Sequence, residues 1–121
     1  MITHVKLVSI PVSNQDEALA FYTEILGFEV LIDEPFEKHS RWIELKLPQG
    51  QTRVVLLKSG KPEYRPGSLS NIVFTTDDVE ETYFRLKTRG VRFKEPPNKQ
   101  PWGMFTQFCD PDGNTFVLAS T

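Results

Sequence analysis

The stretch Pro101 to Leu118 reads PWGMFTQFCDPDGNTFVL and holds two strands with the turn between them. Pro111 presets the first corner, Asp112 tolerates the second, and Gly113 supplies the positive φ that closes a bulged hairpin. On either side, Phe105 to Cys109 and Thr115 to Leu118 are aromatic, β-branched or apolar, which suits a strand pair burying one face. Such a hairpin ends a curved sheet and specifies no chemistry by itself.

Upstream, the chain divides into two passages of similar grammar. Val5 to Val12 alternates as a strand with Pro11 at its end. Ser13 with Asp16 forms a capping box, and Ala18, Leu19, Tyr22, Ile25 and Leu26 recur at helical spacing until Gly27. Phe28 to Ile32, Arg41 to Leu47 and Thr52 to Leu57 read as strands, separated by turns at Glu34-Pro35 and Pro48-Gln49-Gly50. A connector, SGKPEYRPGS at residues 59–68, has two prolines, two glycines and no apolar period. The pattern then restarts: Ser70 to Thr75 is a strand, Asp77 with Glu80 repeats the capping box, and Val79, Tyr83 and Leu86 repeat the stripe before Gly90. Val91 to Phe93 and the hairpin supply three more strands. Sliding the chain on itself by roughly 64 positions superposes Ser13 on Asp77 and Tyr22 on Leu86, so the expected architecture is α+β, two β-α-β-β-β modules at about residues 4–58 and 69–120.

Composition narrows the function classes. At 121 residues and 39% hydrophobic content, the chain supports one domain, or two small halves sharing a core. A net charge of -2 with mixed signs leaves no basic face for nucleic acid. No apolar run approaches membrane length, and Met1-Ile2-Thr3-His4 leads straight into strand-like sequence without a signal peptide, so a cytoplasmic protein is expected. Cys109, the one cysteine, has no second thiol for a disulfide or metal cluster and reads as packing.

With the repeat in view, AFYTEILGF at Ala20 to Phe28 and DPDGNTFVL at Asp110 to Leu118 resemble the vicinal oxygen chelate superfamily, which includes glyoxalase I, bleomycin-resistance proteins and extradiol dioxygenases. The resemblance spans nearly the whole chain. It implies that each module curls its strands into half a cup with the helices outside, and that two chains pair as a homodimer. The family's enzymes hold a divalent metal with His or Glu at four strand positions. Carried over, those positions fall on Leu7, Asn71, Val117 and either Val55 or Leu57, and none carries a usual ligand. A shift of register by one residue would turn Val8, Ile10, Ile72 and Phe74 out of the core. The expectation is no metal and no cofactor, with His4 and His39 as solvated surface histidines.

Strand parity then names a lining. If Leu7, Asn71 and Val117 face the cup, Ser9, Val73, Thr75 and Thr115 join them, while Val8, Ile10, Ile72, Phe74, Phe116 and Leu118 face the helices. On the third strand Ile43 and Leu45 face the helix, which turns Trp42, Glu44 and Lys46 to the cup or its rim. Glu44 is either a general base raised by burial, a contact for a cationic ligand, or half of a solvated ladder with Lys46. Pairing Asp110 with Asn114 sets Gln107 opposite Val117, a polar contact at the cup's base. Trp102 offers a flat ligand surface, or else a lid over the core edge or a dimer contact. The substrate-binding set is therefore Trp42, Glu44, Asn71, Trp102 and Gln107, with no catalytic residue assigned.

Two functional readings stand. One is a metal-free small-molecule-binding protein of the bleomycin-resistance type. The other is an enzyme of the same superfamily, a glyoxalase-like lyase or isomerase or a dioxygenase, working without metal or through ligands in another register. A regulatory interaction domain with an empty cup is a third possibility.

Overall fold

The computed structural model describes residues 1–121, and the chain separates into two compact units, Met1–Ser68 and Leu69–Thr121. Each unit holds a mixed sheet because its first and last strands run parallel while the others are antiparallel. The architecture is α+β, as the alternating strand and helix periods require.

In the first unit the strands are β1 (Leu7–Pro11), β2 (Glu29–Phe36), β3 (Ser40–Lys46) and β4 (Arg53–Leu57), in the spatial order β1-β4-β3-β2. Ile10, Ile43, Leu45, Val54 and Leu56 are fully buried or nearly so, together with Ala18, Phe21 and Tyr22 of the helical segment. In the second unit β5 (Ile72–Thr76), β6 (Arg92–Phe93), β7 (Asn98–Gln100), β8 (Gly103–Cys109) and β9 (Thr115–Ser120) follow the order β5-β9-β8-β6, with β7 also pairing to β8. Here Phe108, Phe116 and Leu118 form the core with Val79, Tyr83 and Leu86 of α2 (Val79–Thr88).

Four local features differ from the sequence reading. Both helices are capped one residue later than expected: Asn14, not Ser13, accepts from Glu17 N at 2.9 Å, and Asp78, not Asp77, accepts from Glu81 N at 3.0 Å. The common shift keeps the 64-residue offset and places a buried side chain at the first helical position of each unit, Gln15 and Val79. Gln15 uses the position to stitch α1 (Gln15–Ala20) to two strands. Its amide donates to the carbonyls of Arg41 and Leu56 at 2.7 and 2.9 Å and accepts from Arg41 N at 3.0 Å.

The second difference is a π-helical turn, Phe21–Ile25, where a continuous α-helix is expected. Leu26 N reaches back five residues to Phe21 O at 3.1 Å, while Thr23 Oγ1 bonds Leu19 O at 2.7 Å. The wider turn lets two consecutive residues, Phe21 and Tyr22, both enter the core. Third, β2 runs through Glu34-Pro35 instead of turning there. It is an edge strand, so Pro35 forfeits no bond that the sheet needs. The reversal comes at Glu37 and His39, both with positive φ. Fourth, β7 is an added strand formed just before Trp102, in a stretch the sequence reading left without structure. No helix is long and apolar enough to cross a membrane.

Candidate functional sheet faces

The sheet faces turned away from the helices hold most of the residues singled out from sequence, and strand register defines them. In the first unit Ser9 pairs with Val55, Val55 with Glu44, and Glu44 with Ile32, so one row crosses all four strands. In the second unit Val73 pairs with Val117 and Val117 with Gln107. Glu44 and Gln107 thus occupy the same place in their respective sheets, each beside a valine on the last strand of its unit. In the second unit alternation agrees with the expected parity, Phe116 and Leu118 being buried against α2 while Val73 is 61% exposed; in the first, Val55 and Glu44 are buried on the helix-distal face as well.

Glu44 is only 3% exposed, and its carboxylate is fully engaged. Arg53 Nη1 donates to Oε2 at 2.5 Å and Trp42 Nε1 donates to Oε1 at 3.2 Å. This corrects two of the alternatives held open for Glu44. The Arg53 hydrogen bond holds the carboxyl below its ordinary value of 4.5, outweighing the opposing effect of burial, and Trp42 and the charges of Arg53 and Lys6 act in the same direction. A carboxylate so held is a poor proton acceptor at neutral pH, and both its oxygens already have donors. Nor is it half of a solvated ladder with Lys46, because its partner is Arg53 on β4. Trp42 completes the group by packing edge-on against Phe36 at 5.3 Å between centroids.

In the second unit Trp102 stands at the β7–β8 reversal, 71% exposed, with its ring stacked on Phe105 at 5.4 Å and 14° between planes. The turn is locked by Gly103, whose φ is +139° and where an added Cβ would lie 2.6 Å from Ser120 Oγ. Phe105 and Gln107 lie on one face of β8, which joins Trp102 to Gln107 in a single strip. Gln107 is half-buried, and its backbone carbonyl accepts from Lys94 N at 2.9 Å. Asn71 is exposed one residue before β5, separated from β8 by β9. Register therefore brings Trp42 to Glu44, and Trp102 to Gln107, and leaves Asn71 apart within its own sheet.

The donor positions that the family's metal enzymes use do not suit a divalent ion here. Leu7, Val55, Leu57 and Val117 are aliphatic, Asn71 is a single neutral amide, and no three His, Cys, Asp or Glu side chains gather anywhere in the chain. His4 and His39 are both exposed. Arg53, Phe36 and Phe105 were not singled out from sequence, although Arg53 has the same strand parity as Val55 and Leu57 and was legible on that ground.

Comparison with known proteins agrees with the two-unit geometry. The model of the Glyoxalase/Bleomycin resistance protein/Dioxygenase superfamily matches residues 2–118. The protein YetH of Bacillus subtilis (strain 168) is 36% identical over 118 residues, 98% of each chain. Among solved structures, TnmS3, an antibiotic binding protein from Streptomyces sp. CB03234, superposes with a TM-score of 0.90 at 41% identity, covering 98% of this chain and 96% of its own. A superfamily member from Sphaerobacter thermophilus DSM 20745 superposes with a TM-score of 0.90 at 39% identity, covering 99% and 98%. Matched from end to end by the family model and by proteins that share more than a third of its residues, this chain belongs to the glyoxalase/bleomycin resistance protein/dioxygenase superfamily.

Proposed function

We propose that the protein is a metal-free small-molecule binder of the antibiotic-binding kind, and that its ligand lies against a helix-distal sheet face. The observation that carries this reading is the Trp102–Phe105 stack, a large aromatic surface left open on a sheet face where the family's enzymes would present metal donors. Taken by itself, the face of the first unit offers Trp42 and Glu44 to a ligand, and that of the second offers Asn71, Trp102 and Gln107. The similarity to TnmS3 supports ligand binding over turnover, and the aliphatic residues at the donor positions support binding without metal. Binding of flat aromatic compounds, followed by tryptophan fluorescence and calorimetry, tests the proposal. Trp102→Ala is expected to weaken such binding about tenfold, the loss of a good aromatic contact. Stoichiometric, micromolar binding of nickel, zinc or manganese to protein purified without chelator would overturn the metal-free part.

A further inference from the structure

Arg53 belongs to none of the roles assigned so far, yet a nearly buried carboxylate holds its guanidinium. Trp42 fixes Glu44, and Glu44, nearly buried, fixes one end of the guanidinium at Nη1. The Arg53 side chain is 42% exposed, and the hydrogen bond to Glu44 uses one of its five donors. Nε and Nη2 remain as a forked edge on the same sheet face as Val55 and Trp42. Nearby charge favours an anion there. Lys6 lies close enough to act on Glu44, and the Glu44 carboxylate is already committed to Arg53 and Trp42.

We propose that Arg53, oriented by Glu44, is a specificity-determining group on the face it shares with Trp42 in the first unit, and that it selects ligands bearing an acidic oxygen, above all planar aromatic carboxylates. The proposal rests on the small-molecule reading above and reverses the cationic preference that a free Glu44 would give. A guanidinium held at one end and open at the other meets a carboxylate through two parallel hydrogen bonds, an arrangement a lysine or a mobile arginine does not match.

The test uses 2-naphthoate and its neutral isostere 2-naphthamide, titrated calorimetrically at low and high salt. Native protein is expected to bind the carboxylate about tenfold more tightly than the amide, the effect of one charge-assisted contact. Arg53→Lys, which keeps the charge and loses the fork, should bring the ratio near one. Glu44→Gln should also lower the ratio although it makes the site more positive, a direction that a simple charge effect would not give. Should Arg53→Gln fail to fold because it strands Glu44, the double variant Glu44→Gln with Arg53→Gln removes both charges and should show no preference. Equal binding of the two probes to native protein would overturn the role of Arg53 and leave the aromatic-binding reading standing. Binding of neither would overturn both, and a ratio that rises in Glu44→Gln would overturn the orientation argument.

Discussion

Asn114 is completely buried and polar, which only a full set of partners makes tolerable. Its amide donates to Asp110 Oδ2 at 2.8 Å, its own N–H meets Asp110 Oδ1 at 2.8 Å, and its Oδ1 accepts from Leu69 N at 3.1 Å. Asn114→Ala is expected to destabilise the protein by about 2–3 kcal/mol in urea unfolding, since it removes a buried hydrogen bond to the Asp110 carboxylate and the acceptor of the Leu69 N–H. Glu44 gives a second expectation, tied to pH. A carboxyl depressed in the folded state stabilises it above the unfolded value near 4.5, and that contribution is lost as pH falls through the lower folded value. Native protein should therefore exceed Glu44→Gln in stability at neutral pH, with the difference shrinking as pH falls below the ordinary carboxylate value; a constant difference would refute the ion pair. The turn letters DPDGN were legible as turn chemistry, and Gly113 does take a positive φ. The tie from Asn114 to Leu69 was not, because its partner lies 45 residues away and nothing local announces it.

Among the elements, the two helical segments show how far pattern carries. The apolar stripe Val79, Tyr83, Leu86 was read from spacing and is buried as expected, because α2 is a regular α-helix. The first segment defeats the same rule at Phe21: the π turn adds a residue to the inner face, and periodicity of 3.6 has no term for that. Gln15 likewise escaped notice, since a glutamine in a helix's first turn is ordinarily on the surface. Gln15→Leu, which keeps the bulk and loses the amide, should cost about 2–3 kcal/mol by leaving the Arg41 and Leu56 carbonyls and the Arg41 N–H without their partner. The equivalent Val79→Leu in α2 should cost less than about 1.5 kcal/mol, because no hydrogen bond depends on it. Thermal and urea unfolding of the two variants side by side measures the contrast.

For the whole molecule, the repeat of two strand-helix-strand passages was legible apart from β7, and it gave the fold class before any pairing was known. Pairing Asp110 with Asn114 gave the last hairpin's register, Gln107 opposite Val117, and what stayed hidden was the register of the first sheet, which decides that Glu44 meets Arg53 and that Val55 lies beside it. We expect the protein to form a homodimer in solution. β2 is an eight-residue edge strand with Val30, Leu31 and Phe36 exposed, a surface that an isolated chain would leave open to association. Sedimentation equilibrium at micromolar concentration should return twice the chain mass, and Leu31→Lys should shift it towards the monomer. A concentration-independent monomer would exclude the pairing. The strand orders carry one more consequence. In each sheet the strand made last, β4 or β9, is inserted between strands made earlier, β1 and β3 or β5 and β8. During synthesis, then, neither sheet can be completed hairpin by hairpin; each waits for its final strand to leave the ribosome and dock at the centre. The earlier strands stand exposed to chaperones until it arrives, first at Leu57 and again, independently, at Ser120.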